Sequence, residues 1–107
     1  MDRDYPTPEH LFAAGYAACF GGAIEFVARQ HKKDVKGTLV TCHTSVGPRE
    51  GGGFGIAVKM QVMIPTLPKD EAVALVEETH EKICPYSHAT RGNIDFSLEV
   101  ERAEKAR

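Results

Sequence analysis

Cys19, Cys42 and Cys84 are the residues of this 107-residue chain best suited to nucleophilic or redox chemistry. His80, His88 and Arg91 stand within a few positions of Cys84. Any of them could supply the positive charge that favours a thiolate, the reactive form of cysteine. Burial opposes this, because desolvation raises a thiol's pKa. The three thiols sit in different contexts. Cys19 falls inside the charge-free run 11–24, and a free cysteine in such surroundings ordinarily behaves as a small hydrophobe. Cys42 shares a strand face with Val40 and reads as core. Cys84 precedes Pro85 at a helix end and opens the polar stretch YSHATRGN, so it is expected to meet solvent or substrate.

His80, Cys84 and His88 are four residues apart, a spacing that on an unbroken helix would suit a metal. Pro85 interrupts the helix between the second and third, so no metal site is expected. With no CxxC and an odd number of cysteines, neither a structural zinc site nor a fully paired disulfide scaffold fits. Met1–Pro6 lacks the charged-then-apolar layout of a signal peptide, and a reduced, cytoplasmic protein is expected.

The elements that must position these thiols follow from local signals. Thr7-Pro8-Glu9 is a helix start: a capping hydroxyl, a proline suited to the first turn and an acid that complements the helix dipole. The helix runs to about Gln30. Its first part, LFAAGYAACFGGAI, is apolar or small on every side, which predicts burial on every side. Gly15, Gly21 and Gly22 then imply a close backbone approach or a kink at the glycine pair. The run 11–24 is shorter than the ~20 residues that span a bilayer.

Alternation over 39–46 and 54–64, joined by the glycine-rich 47–53, predicts a β-hairpin. A second helix is predicted over 71–83, stopped by Pro85, and a last strand carries Ile94, Phe96, Leu98 and Val100 on one face. The expected fold is α+β: one domain over 1–107, an antiparallel sheet packed with two helices, one of them long and central. One sheet face cannot enclose a helix that is apolar all round. A second copy of the chain is the simplest cover, so an obligate homodimer is expected.

Hydrophobic residues make up 42% and charged residues 26%, with 13 Lys+Arg against 15 Asp+Glu. The balance excludes a strongly basic nucleic-acid footprint, gives no sign of a membrane partner and is unlike a disordered chain.

Two segments carry a family resemblance. Glu9-His-Leu-Phe-Ala-Ala-Gly-Tyr-Ala-Ala-Cys19-Phe and Cys84-Pro-Tyr-Ser-His-Ala-Thr-Arg-Gly-Asn-Ile94 resemble the signatures of the organic hydroperoxide resistance (Ohr) branch of the OsmC superfamily, and the Gly47-Pro and Gly-Gly-Phe54-Gly hairpin is also similar. The likeness runs from about Thr7 to Val100. It implies an intertwined dimer with sites at the interface, and a cysteine peroxidase without metal or prosthetic group. It further implies that Cys19 is the peroxidatic cysteine, Cys84 the resolving one, and Glu9 the acid that orients a catalytic arginine. The implied substrate is an organic hydroperoxide, for which Phe12, Tyr16 and Phe20 would suit a fatty or aromatic group. The implied reductant is a dithiol on a lipoyl-bearing protein.

The resemblance departs in one place. The family's arginine lies in an N-terminal hairpin segment well before the first cysteine, whereas 18 residues precede Cys19. That segment and its arginine are therefore expected to be missing, as in a truncated form or a short homologue. Arg3 is too near Cys19 to take the role, and Arg91 is expected to tether its loop. His88 stands where the family usually has asparagine. The missing charge leaves two competing readings: a non-catalytic relative binding a small lipophilic molecule, and a sensor that signals through a Cys19–Cys84 disulfide.

Overall fold

The computed structural model describes residues 7–101. Met1–Pro6 and with them Arg3 lie outside the described residues. The elements in order are α1 (Pro8–Gln30), β1 (Leu39–Pro48), β2 (Phe54–Met63), α2 (Lys69–Glu78), one π-helical turn (Thr79–Ile83), α3 (Pro85–Thr90) and β3 (Asp95–Glu101). The Thr7 hydroxyl accepts from the His10 N–H and so caps α1, with Pro8 in the first turn as expected.

The three strands lie in the order β1-β2-β3. β1 and β2 form the expected hairpin, pairing Val40 with Val62 and Cys42 with Met60. Gly51, Gly52 and Gly53 at its tip all have positive φ, which side chains with a Cβ resist. β3 runs parallel to β2, pairing Phe96 with Val58 and Leu98 with Met60. The sheet is therefore mixed, which corrects the expectation of a wholly antiparallel one. Alternation of apolar residues fixes the face a strand buries and carries no information on its direction. The direction is set by the long connection 64–94, which returns the chain to the starting end of β2, as a crossover does.

The inner sheet face and α1 make the core. Tyr16, Phe20, Ile24 and Val27 of α1 are fully buried, as are Met60 and Val62 of β2, with Val58 nearly so. Within one chain, however, α1 is covered on one side only. Leu11 is 60% and Phe26 43% exposed, and Ala14, Ala18 and Gly22 between them are also exposed. At 23 residues α1 is long and apolar enough to cross a bilayer by length and composition. Its Tyr16, Phe20, Ile24 and Val27 are instead committed to the core with the sheet.

α1 is continuous past Gly21 and Gly22, and the close approach expected at the glycines occurs at Gly15 alone. There a Cβ would meet the Tyr86 hydroxyl at 3.1 Å, so the neighbour is a side chain rather than backbone.

The second helical region also differs from expectation. α2 buries Ala72, Leu75 and Val76 and then widens into the π turn. That turn is closed by the Cys84 N–H donating to the Thr79 carbonyl at 2.9 Å. Pro85 both ends this helix and starts another, because a proline lacking an N–H fits the first turn of α3. The expected polar loop is thus largely helix.

Removing the buried Phe20 ring should cost roughly 3–5 kcal/mol, and trimming Phe54, 75% exposed, under about 0.5 kcal/mol. Urea midpoints of Phe20→Ala and Phe54→Ala test this. Equal shifts would contradict the core described.

Candidate active site

Cys19 lies near the middle of α1, three residues after the buried Tyr16 and one before the buried Phe20. Cys84 is the residue from which α3 starts: its backbone is extended, and its carbonyl accepts from the His88 N–H at 3.0 Å. These two elements meet so that the Cys84 thiol donates to Cys19 Sγ at 3.7 Å. Sixty-five positions of sequence separate the two sulfurs, and the thiols are free. A disulfide has sulfurs about 2.05 Å apart, so an approach of under ~2 Å would join them. Cys42, on β1, is half-buried, and its thiol faces the Thr44 hydroxyl at 3.7 Å. It belongs to the packing of the sheet, as its alternation indicated.

The exposures of the pair reverse what the sequence suggested. Cys84 is only 1% exposed, while Cys19 is partly accessible. The stretch after Cys84 is a helix whose Ser87 is buried and bonded inward, whereas Cys19 lies on α1 between the exposed Ala18 and the buried Phe20.

Burial pushes the Cys19 thiol above its ordinary range, and the adjacent Cys84 adds to this, while the Tyr86 N–H pulls it back. No Lys, Arg or His is among the groups acting on it. Of the local cations considered for Cys84, Arg91 is engaged elsewhere, His80 is uncharged and His88 is exposed. Arg91 donates to the carbonyls of His80 and Glu81, tethering the π turn as expected for it. His88 is exposed on α3. Burial, and secondarily the Arg91 charge, hold His80 below the usual imidazole range, so it is neutral at pH 7. Among the described residues no group of three or more His, Cys, Asp and Glu is placed to hold a metal.

Glu9 is half-buried on the first turn of α1. Ten residues of helix, at about 1.5 Å each, put it roughly 15 Å along the axis from Cys19. The fold does not bring it to the sulfurs, and any influence on them must pass through another group.

Sequence reasoning missed a buried polar cluster beside the pair. Tyr16 Oη and Ser87 Oγ are 2.8 Å apart, and Ser87 Oγ lies 2.7 Å from His80 Nδ1. The His80 ring stacks on Phe96 with centroids 4.3 Å apart. Phe12, Tyr16 and Tyr86 complete an aromatic wall around the start of α3. The available signal was Ser87 three residues after Cys84, inside a stretch read as a solvated loop.

The family described as OsmC-like protein matches residues 1–99. The organic hydroperoxide resistance protein of Xanthomonas axonopodis pv. citri is 50% identical over 96 residues, which are 89% of this chain and 66% of that protein. The organic hydroperoxide resistance protein OhrB of Bacillus subtilis is 45% identical over 94 residues, 88% of this chain and 68% of its own. The crystal structure of an organic hydroperoxide resistance protein from Elizabethkingia anophelis, with crystallant-derived thiocyanate bound, is also similar. It aligns with a TM-score of 0.91 and 44% identity over 96% of this chain and 73% of that one. The chain thus spans about two thirds of the length of the curated relatives it matches.

Thiolate is the alkylating form, so a pKa above the ordinary range keeps Cys19 mostly protonated at neutral pH. Its alkylation by iodoacetamide should rise about tenfold per pH unit and still be climbing past about pH 8.5. Peptide mass spectrometry across a pH series reads this site by site, and a plateau near pH 7 would show that a cation reaches the sulfur.

Proposed function

The chain belongs to the OsmC-like family, in the company of the organic hydroperoxide resistance proteins, and on that footing we propose that it is a thiol-dependent peroxidase reducing organic hydroperoxides in oxidative-stress defence. The supporting observation is the 3.7 Å contact between Cys19 Sγ and Cys84 Sγ.

In the proposed cycle the Cys19 thiolate attacks the terminal peroxide oxygen. The O–O bond breaks, the departing alkoxide takes a proton to become an alcohol, and Cys19 is left as a sulfenic acid. The Cys84 sulfur then displaces the sulfenic oxygen, which leaves as water, and a disulfide forms. An external dithiol reduces it by two exchange steps, becoming a disulfide itself. A lipoyl group on a protein is the dithiol that the family resemblance indicates. The partly accessible Cys19 suits the peroxide step, and the buried Cys84 suits a resolving thiol that peroxide does not reach first. The aromatic wall of Phe12, Tyr16 and Tyr86 favours an apolar substituent on the hydroperoxide. Glu9 keeps the role the resemblance assigns it, orienting a cation brought to the site, and the chemistry calls for a reducing, cytoplasmic setting.

The uncovered side of α1, Leu11, Ala14, Ala18, Gly22 and Phe26, supports a homodimer that packs this face against a second copy. Small residues flanked by large apolar ones allow two such surfaces to approach closely. A folded monomer at micromolar concentration in sedimentation would overturn this part.

The raised pKa of Cys19 favours a second, slower use of the same pair, as a sensor in which the disulfide itself is the signal. Turnover separates the two. With a dithiol in excess, the chain should consume an alkyl hydroperoxide continuously, Cys19→Ser should lose at least about 100-fold, and Cys84→Ser should stall after one equivalent. A native rate no higher than that of Cys19→Ser defeats the enzyme reading. A single equivalent consumed, with a 19–84 disulfide in the product, favours the sensor.

A further inference from the structure

Tyr16 and Cys19 are one turn apart on α1, and Cys84 and Ser87 bracket the first turn of α3. The structure joins them pairwise: Cys19 to Cys84 through the sulfurs, and Tyr16 to Ser87 through a buried 2.8 Å hydrogen bond. The two contacts are neighbouring rungs between the same two elements. We propose that the Tyr16–Ser87–His80 hydrogen-bonded chain is a positioning strut that holds Cys84 within bonding reach of Cys19. This rests on the reading of Cys19 and Cys84 as a working thiol pair.

Burial and connectivity make the strut stiff. Tyr16 and Ser87 are completely buried. Among the described residues no buried side-chain nitrogen or oxygen lacks a partner, so the chain of bonds is satisfied throughout. Burial keeps Tyr16 protonated and His80 neutral. Tyr16 O–H can then donate to Ser87 Oγ, and Ser87 O–H to His80 Nδ1, each donor meeting one acceptor. His80 is itself fixed on three sides. Its ring stacks on Phe96 of β3, its carbonyl accepts from Arg91, and its turn is closed by the Cys84 N–H on Thr79. Ser87 is therefore gripped from the sheet side through His80 and from α1 through Tyr16. Cys84 is three residues away, at the point where α3 begins.

A thiol held near its partner forms a disulfide more favourably than a mobile one, because less freedom is lost on closure. The strut should therefore show in the reduction potential. In glutathione buffer the Cys19 and Cys84 thiols pass two electrons and two protons to glutathione disulfide, which becomes two glutathione thiols, as the protein disulfide forms. Removing the hydrogen bond by Tyr16→Phe or Ser87→Ala should lower this equilibrium constant about five- to tenfold, tenfold being about 30 mV. Both variants remove one shared bond, so the double variant should shift no further than the larger single.

The test is a redox titration of the full chain and the three variants, with the 19–84 disulfide quantified by mass spectrometry. Circular dichroism confirms folding. Tyr16→Phe keeps the ring and its aromatic contacts, and so remains readable if Ser87→Ala fails to fold. Non-additive shifts towards easier reduction support the strut. Single variants within twofold of the parent, or shifts that add in the double variant, overturn it while leaving the thiol pair intact. A parent chain that forms no 19–84 disulfide overturns the pair itself, and the strut with it.

Discussion

A contact between two sulfurs sixty-five positions apart exists only if α1 and the start of α3 are each held in place independently. α1 is held by the sheet: its Tyr16, Phe20, Ile24 and Val27 fill the layer above Val58, Met60 and Val62. α3 has six residues, too few to be stable alone. It is fixed by what surrounds it, namely Pro85 at its start, Arg91 at its end, and Ser87 bonded inward to Tyr16 and His80. The contact between the two sulfurs depends on that short segment staying docked.

The electrostatics of the pair follow from the same packing. The surroundings that bring the sulfurs together are largely aromatic and aliphatic, so they desolvate Cys19, with the Tyr86 N–H as a partial offset. The polar groups nearby are consumed by one another: His80 by Ser87, Ser87 by Tyr16, and Arg91 by two carbonyls. Geometry and activation are separate provisions at this site. The described residues provide the geometry, and the cation that would ionise Cys19 is not among the groups acting on it.

What could be read from the sequence was whatever depends on neighbours in the chain. The Thr7 cap, the extent of α1, the hairpin and the inward face of each strand are encoded by adjacent residues and their periods. The parallel direction of β3 is not, because Ile94, Phe96, Leu98 and Val100 alternate identically in either direction. The π turn escaped because Ala72, Val76, Thr79 and Ile83 satisfy ordinary helical spacing until one extra residue is accommodated at Thr79–Ile83. The burial of Cys84 escaped because a proline followed by Tyr-Ser-His reads as a loop, when the same proline is equally suited to begin a helix. Ser87 escaped for a related reason. Its importance comes from Tyr16, distant in sequence, and no local pattern announces such a partner.

The distance along the chain between the two thiols also has a thermodynamic side. A covalent link between positions 19 and 84 would close most of the molecule into a loop that the unfolded chain could no longer open. In the chain-entropy picture this penalises the denatured ensemble by about 4 kcal/mol, a large share of the ~5–15 kcal/mol that keeps a small domain folded. In the proposed cycle the disulfide intermediate is therefore the form most resistant to unfolding. Oxidant, the condition the protein would meet under stress, would leave it harder to denature than the resting dithiol.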